Sequence, residues 1–257
     1  MVFCTDPMRA FRLFSLIWLG LLATLITTRT DGADFRVGTA LAIEANFPAS
    51  SIEGKVVLAG NVRRAQPLPV FKSRDYCGAL IANETLLVDA DGGLKNAAVL
   101  LRPLAEKIAS RPEFLTLDNQ RCRFTPHVQI ATVGSELLLK NSDPILHTAH
   151  ARLGAETLFN VGLPHWRRVT QRLDRVGVIR IECDVLHTWM SAAIIVADTP
   201  YFALTDGAGR FRIDKLPAGD YELEAWHERL GSRRVRVSIA PNARSNIEVI
   251  YSGAKIR

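Results

Sequence analysis

From Ser51 onward, hydrophobic and polar residues alternate in short runs that are separated by turn residues. Residues 52–58 and 176–181 are typical: each run is rich in β-branched side chains, and glycine, aspartate or other turn residues lie between the runs. Only residues 97–109 offer helical character, and Pro103 near the middle of that stretch discourages a helix. The pattern therefore predicts an all-β protein.

Breaks in this alternation divide the chain into three blocks. Residues 50–115 form an N-terminal β-rich segment, residues 116–198 a central β-domain and residues 199–257 a small C-terminal β-unit. The glycines of the last block mark tight turns, and its aromatic and aliphatic residues alternate between them. We therefore expect more than one β-sheet unit along the chain.

The first 33 residues differ from the rest of the chain. Arg9 and Arg12 precede an apolar run at residues 13–28, which is shorter than the roughly 20 residues needed to span a bilayer. We interpret residues 1–33 as a secretory signal peptide, with an uncleaved N-terminal membrane anchor as the alternative. Both interpretations predict a periplasmic or otherwise exported protein.

Composition and charge exclude one large class of partners. Hydrophobic residues make up 48% of the chain and charged residues 23%, which is typical of globular proteins. The net charge of +6 is spread along the chain, and its densest group alternates as on a solvated strand: Arg229, Arg233, Arg234 and Arg236. Since no recognition motif or interleaved aromatic residue accompanies these arginines, we expect no nucleic-acid binding.

The cysteine count points to a disulfide and one special thiol. Cys4 lies in the predicted signal peptide, so the mature protein keeps Cys77, Cys122 and Cys183. In an oxidising compartment two thiols are expected to pair, and the third needs a reason to stay reduced, such as a metal. Because Cys183 has metal-ligand neighbours, we predict a Cys77–Cys122 disulfide; two separate buried thiols are the alternative.

A metal-ligand pattern follows the strand predicted at residues 176–181. Cys183 is followed by His187 and Met190 in the spacing C-x3-H-x2-M. A thiolate, an imidazole and a thioether form a soft ligand set that suits copper, and a second imidazole would complete a trigonal site with a weak axial methionine. His147, which follows an N-x-D sequence, supplies that imidazole. The alternative is a buried strand end in which these side chains only pack.

Three further histidines are weaker candidates: each could contact a metal ligand from outside the site or replace one of the ligands. His150 lies three residues beyond His147 and would face the opposite side of an extended strand. His127 could be an outer partner of the site, a second ligand or a polar residue on an exposed face. His227, with Glu228 after it, would make an interdomain contact or orient a metal ligand.

The same motifs resemble a known family. The run F-x-P, a glycine turn, N-x-D-x-x-x-H and G-x5-C-x3-H-x2-M resembles the plastocyanin and azurin family of cupredoxins. The resemblance implies a cupredoxin-like Greek-key β-sandwich in residues 116–198, with copper held by His147, Cys183, His187 and Met190. The cysteines and the C-terminal unit also resemble exported cupredoxin-like proteins, some of which are labelled as methylamine-utilisation proteins.

Two details refine this resemblance. The binuclear copper domain of cytochrome oxidase needs another cysteine four residues before Cys183, where Ile179 stands, so we expect one copper per chain. Residues 205–213 and 216–221 read T-D-x-x-G-x-F-x-I and L-P-x-G-x-Y, which resembles the carboxypeptidase-regulatory or transthyretin-like β-sandwich. That resemblance implies a fold and no particular function.

The leading hypothesis is an exported mononuclear copper protein that carries single electrons to a redox partner protein. We expect the imidazole of His187 to lie near the surface where this partner docks. One alternative is copper storage, delivery or sensing, and another is a metal-free β-sandwich that binds a ligand such as a carbohydrate. An enzyme is the least favoured class, because no Ser–His–Asp arrangement, paired acidic motif or phosphate loop is present.

Overall fold

The structure is a computed structural model that describes residues 50–60 and 65–252. Within these residues one four-residue helix accompanies eighteen strands, so the prediction of an all-β fold is confirmed. Residues 97–109 contribute a strand that ends at Pro103 in place of a helix. Across the described ranges no helix is long and apolar enough to cross a membrane. The predicted signal peptide or anchor, residues 1–33, lies outside the described residues.

The elements follow one another in a simple order. They are β1 (Ser50–Leu58), β2 (Leu68–Pro69), α1 (Arg74–Cys77), β3 (Leu80–Ile81), β4 (Ala98–Pro103), β5 (Phe114–Asn119), β6 (Phe124–Thr125), β7 (Val128–Thr132), β8 (Ser135–Asn141), β9 (His147–Leu153), β10 (Glu156–Leu163), β11 (Arg168–Leu173), β12 (Gly177–Glu182), β13 (Ser191–Ala197), β14 (Tyr201–Leu204), β15 (Arg210–Leu216), β16 (Gly219–His227), β17 (Gly231–Ile239) and β18 (Arg244–Tyr251).

Four sheets form the body of the described chain. The first sheet has the strand order β11-β8-β5-β6, the second β10-β9-β12-β13-β7, the third β14-β4-β16-β17 and the fourth β15-β1-β18. Strands β2 and β3 form a separate two-stranded ribbon. The first and second sheets enclose one apolar core, and the third and fourth sheets enclose another. The structure therefore contains two β-sandwiches, as predicted.

A third apolar cluster joins the two sandwiches. It is formed by side chains of the second and third sheets, including Leu100, Val128, Ile195 and Trp226. Strand β13 contributes to the first core on one face and to the joining cluster on the other, because Ile194 and Ile195 belong to these two clusters. A strand that is buried on both faces needs a nearly continuous apolar sequence, and S-A-A-I-I-V-A fits this requirement.

The sheets do not follow the linear blocks predicted from the sequence. Strand β1 pairs antiparallel with β15 and parallel with β18, and β4 lies between β14 and β16. The C-terminal sandwich is therefore completed by two strands from the block of residues 50–115. Another part of that block packs against the first core, through Val70, Cys77 and Ile81. Alternation along a chain reveals strands but does not reveal which distant strand each one pairs with.

A buried ion pair links the two sandwiches at the edge of their shared cluster. His127 Nε2 lies 2.6 Å from Glu228 Oε2, and His127 Nδ1 lies 3.0 Å from the carbonyl oxygen of Ser191. Burial alone would lower the pKa of His127, but the hydrogen bond and charge of Glu228 outweigh burial, so the pKa is raised. The charged imidazolium is the form that can donate to both partners.

This ion pair predicts a pH-dependent stability. Because the folded-state pKa of His127 is raised, its contribution is complete below the unfolded pKa of about 6.5 and is lost as pH rises through the folded-state pKa. His127→Ala leaves Glu228 without its partner and should cost about 3 kcal/mol. Urea unfolding between pH 5.5 and 9 measures both effects. In Glu228→Gln this part of the pH dependence should vanish. If the stability of Glu228→Gln and of the wild type depended equally on pH, the His127–Glu228 ion pair would not be its cause.

Candidate metal centre

The metal-ligand candidates meet at one end of the first sandwich. Strands β9 and β12 are antiparallel neighbours in the second sheet, so the start of β9 lies beside the end of β12. His147 is the first residue of β9, and Cys183 directly follows β12. His187 lies in the loop between β12 and β13, and Met190 immediately precedes β13. Sheet pairing thus brings together residues that are 36 positions apart.

Three ligand atoms converge on a common point. Cys183 Sγ lies 3.9 Å from His147 Nδ1 and 3.8 Å from His187 Nδ1, and the two Nδ1 atoms are 3.0 Å apart. All three side chains are buried. Cys183 is the free cysteine of the described residues. This convergence is the arrangement expected of a Cys-His₂ metal site.

The spacing of these atoms fits a trigonal metal ion. Metal–nitrogen bonds of about 2.0 Å and metal–sulfur bonds of about 2.3 Å place two nitrogens about 3.5 Å apart and nitrogen about 3.7 Å from sulfur. The observed distances of 3.8 and 3.9 Å match the second value, and 3.0 Å is shorter than the first. A small opening of the two imidazoles would therefore admit the ion.

The loop from Cys183 to Met190 is tightly folded. Leu186 adopts a left-handed backbone conformation with φ 65°, and the amide of Met190 donates to the carbonyl oxygen of His187 at 2.8 Å. Met190 is buried in the first core together with Cys183 and Trp189. The loop thus returns Met190 to the first core.

Hydrogen bonds stabilise the thiolate form of Cys183. The amide and hydroxyl of Thr148 donate to Cys183 Sγ at 3.3 and 3.7 Å. Burial would raise the pKa of Cys183, but hydrogen bonds from His147, Thr148 and the backbone of Val185 outweigh burial and lower it. A thiolate is the form of cysteine that binds metal ions.

The orientation of His147 is set by a buried carboxylate. His147 Nε2 donates to Asp143 Oδ2 at 3.0 Å, which leaves Nδ1 directed towards Cys183. Burial would lower the pKa of His147, but Asp143 and Cys183 raise it. Burial and the neighbouring charge of His147 lower the pKa of His187 to about 4, so this imidazole is neutral at neutral pH. His187 can therefore bind a metal ion without first losing the charge of an imidazolium.

A disulfide-linked segment covers His187. The predicted Cys77–Cys122 disulfide is confirmed, with the two Cα atoms 5.6 Å apart. Ser73, which precedes α1, places its hydroxyl oxygen 3.3 Å from His187 Nε2. His187 is only 1% exposed, in contrast to the expectation of an imidazole near the surface. Its neighbour Leu186 is 65% exposed and takes the surface position.

The three weaker histidine candidates lie apart from this cluster. His150 Nδ1 lies 2.8 Å from Asp184 Oδ2, and its Nε2 lies 2.9 Å from the Thr157 hydroxyl. His127 is engaged with Glu228 between the sandwiches. His227 is buried, with a pKa lowered to about 4 chiefly by burial, and its Nδ1 accepts from a backbone amide at 3.2 Å. The structure brings His147, and none of these three, to Cys183.

Sequence reasoning assigned no role to Asp143 or Trp189. Asp143 was visible only as part of the N-x-D sequence before His147. The indole of Trp189 donates to the carbonyl oxygen of Cys122 at 3.0 Å, and its ring lies 5.1 Å from that of His187. Asp143, Cys122 and His147 also form a cluster of potential ligand atoms, but the sulfur of Cys122 is committed to the disulfide.

Comparison with known proteins finds similarity only among solved structures. No protein-family model matches the chain, and no curated protein matches it. A "Novel Purple Cupredoxin from Nitrosopumilus maritimus" is 19% identical, over 32% of this chain and 98% of that chain, with a TM-score of 0.29. A pseudoazurin from Sinorhizobium meliltoi is 23% identical over 34% and 76%, with a TM-score of 0.28.

A copper-containing nitrite reductase from Thermus scotoductus SA-01 is also similar in part. It is 22% identical, over 37% of this chain, with a TM-score of 0.30. The chain spans only 25% of that enzyme. Each of these similarities covers well under half of the chain.

Proposed function

We propose that this protein binds one copper ion through His147, Cys183, His187 and Met190 and transfers single electrons to and from a partner protein. The observation that carries the proposal is the convergence of one sulfur and two Nδ1 atoms at 3.0 to 3.9 Å. Two imidazoles and a thiolate, with a weak axial thioether, form the donor set of copper electron-transfer sites, and we assign the thioether to Met190. Copper, when bound, would supply the one-electron chemistry.

The surroundings of the cluster suit electron transfer better than catalysis. The ligand side chains are buried and held by neighbours: Asp143 fixes His147, and Thr148 fixes the sulfur of Cys183. Buried and fixed ligands suit a copper ion whose surroundings change little between its two oxidation states.

Exposed apolar side chains surround this end of the sandwich. Leu146 and Leu186 directly precede His147 and His187, and both are exposed. Phe71, two residues before Ser73, is 73% exposed, and Trp166 is 77% exposed. Clustered apolar surface of this kind marks sites of protein contact. It supports transient docking of a redox partner over the covered His187.

The N-terminal segment supports a location for this function. Residues 1–33 carry the pattern of a signal peptide or membrane anchor, and the Cys77–Cys122 disulfide fits an oxidising compartment. We therefore place the protein in the periplasm or otherwise outside the cytoplasm. Cell fractionation of a tagged full-length chain would test this placement.

Copper loading tests the proposed function directly. The chain without residues 1–33 is loaded with Cu(II), and its visible spectrum and metal content are measured. We expect one copper per chain and a strong thiolate-to-copper absorption band. Absence of the band together with sub-stoichiometric copper would contradict the proposal and favour a metal-free binding module.

Copper storage or delivery is a second candidate, and the burial of His187 favours it. An imidazole that is 1% exposed and covered by Ser73 suits a site that retains its ion. A storage or delivery site would prefer Cu(I) and would lack the intense Cu(II) band. Competition with Cu(I) and Cu(II) chelators separates the two functions, because an electron carrier must hold both oxidation states.

Replacement of Met190 distinguishes a ligand from a packing residue. Met190→Leu conserves volume and should cost less than about 1.5 kcal/mol of stability. Since an axial thioether is a weak ligand, we expect copper to remain bound, with a shifted absorption spectrum and a changed reduction potential. Spectroscopy and redox titration measure this. An unchanged spectrum and potential would mean that Met190 only fills the core.

A further inference from the structure

Asp143 is a buried carboxylate with an unusually complete set of donors. It is 1% exposed and accepts four hydrogen bonds. Its Oδ1 accepts from the Tyr76 hydroxyl at 2.8 Å and the Arg121 amide at 2.6 Å, and its Oδ2 accepts from the Cys122 amide at 2.8 Å and His147 Nε2 at 3.0 Å. Burial would raise the pKa of Asp143, but these bonds outweigh burial and lower it. The group is therefore an anion in the protein interior.

The backbone around Cys122 forms a cradle for this anion. Arg121 and Cys122 are consecutive residues with positive φ angles of 54° and 57°, so their two amides point at the same carboxylate. Successive amides in such conformations bind anions. Cys122 is held by its disulfide to Cys77, and Tyr76, next to Cys77, donates from the other side. Both ends of the disulfide therefore contribute a donor to Asp143.

We propose that Asp143 is a positioning residue for the metal centre: it holds His147 with Nδ1 towards the ion and favours Cu(II) over Cu(I). The proposal rests on the proposed copper function. A carboxylate that accepts the outer N–H of a metal-bound imidazole fixes its tautomer and raises its basicity. The negative charge of Asp143 adds to that of the Cys183 thiolate, so the more highly charged ion gains more. A carboxylate with a purely structural role would leave the balance between the two ions unchanged.

The test compares Asp143→Asn with Tyr76→Phe. The asparagine keeps the shape and removes the charge, and we expect the preference for Cu(II) over Cu(I) to fall about tenfold, a rise in potential of about 59 mV. Tyr76→Phe keeps the charge of Asp143 and removes one hydrogen bond to its carboxylate. More of the negative charge then acts on the copper ion, which stabilises Cu(II), so the reduction potential should fall. Redox titration of the copper-loaded proteins measures both shifts. Shifts of opposite sign support the proposal, and unchanged potentials in both variants overturn it.

A second measurement uses the metal-free protein. Nitrogen-15 NMR of the imidazoles should show Nε2 of His147 protonated and hydrogen-bonded in the wild type, with that signal altered in Asp143→Asn. If the wild type binds no copper, the proposed function fails, while this spectrum still shows whether Asp143 orients His147; an unaltered signal would overturn that role. If Asp143→Asn does not fold, Tyr76→Phe decides: a lowered potential supports the proposal and an unchanged one overturns it.

Discussion

Replacement of Cys183 by serine is expected to abolish the thiolate-to-copper absorption and to weaken Cu(II) binding by more than about 100-fold. Loss of an outer partner of a metal ligand alone costs roughly 10- to 100-fold in affinity, and this change removes the ligand itself. A serine hydroxyl does not ionise at neutral pH, so the variant offers only two imidazoles and a thioether. Visible spectroscopy, metal analysis and a competition titration with a Cu(II) chelator measure the loss.

The Cys183→Ser variant is expected to fold like the wild type, which separates loss of the ligand from loss of the fold. The amide of Thr148, which donates to Cys183 Sγ at 3.3 Å, can donate to a serine oxygen. We therefore expect near-UV circular dichroism and the urea midpoint of the metal-free variant to stay close to those of the wild type. If the Cys183→Ser variant is folded and still shows the visible band, Cys183 is not a ligand of the copper ion. Thr148→Val, which removes the hydroxyl contact to Cys183 Sγ and the acceptor of the Asp184 amide but keeps the Thr148 amide, should retain the band with a shifted maximum.

Removal of the disulfide is expected to lower the free energy of unfolding by about 4 kcal/mol, from the loop-entropy relation for a closed loop of this length. Cys77 and Cys122 are 45 positions apart, so the crosslink restricts a long part of the unfolded chain. The double variant Cys77→Ala, Cys122→Ala avoids a newly freed thiol near Cys183. Urea unfolding of the double variant and of the oxidised wild type gives the difference directly.

The same double variant should uncover His187. Ser73, whose hydroxyl lies 3.3 Å from His187 Nε2, precedes the helix that ends at Cys77. Without the crosslink this segment loses its covalent attachment to the core, and we expect a chelator to remove copper faster. Leu186→Ala, on the exposed side of the loop, serves as the control that leaves the covering segment in place. Equal stability and equal chelator rates in the double variant and the wild type would contradict both expectations.

Much of the candidate centre is encoded in local spacing. The spacing C-x3-H-x2-M places Cys183, His187 and Met190 within one loop. Successive side chains of a strand point to opposite faces, so His147 and His150, three residues apart, face opposite sides. The three cysteines beyond residue 33, together with the metal-ligand neighbours of Cys183, predicted the observed Cys77–Cys122 disulfide. These inferences need no tertiary structure, because they concern neighbours in sequence or the number of cysteines.

The surroundings of the centre were not predictable in this way. Ser73 contacts His187 across 114 positions, and Tyr76 contacts Asp143 across 67. The Asp143 carboxylate accepts two of its four hydrogen bonds from the amides of Arg121 and Cys122, whose positive φ angles direct both amides at it. No local pattern marks such contacts, because each depends on how a covering segment packs after the sheets have formed.

The sequence by itself determined that the chain folds into strands and which two cysteines pair, and it predicted four ligands of a soft metal site, three of which the structure brings together. Only the tertiary structure decided that β1 completes the C-terminal sandwich, that His127 joins the sandwiches through Glu228 and that His187 is covered. The physical reason is that alternation specifies the buried face of a strand, while its partner is selected by packing between segments far apart in the chain.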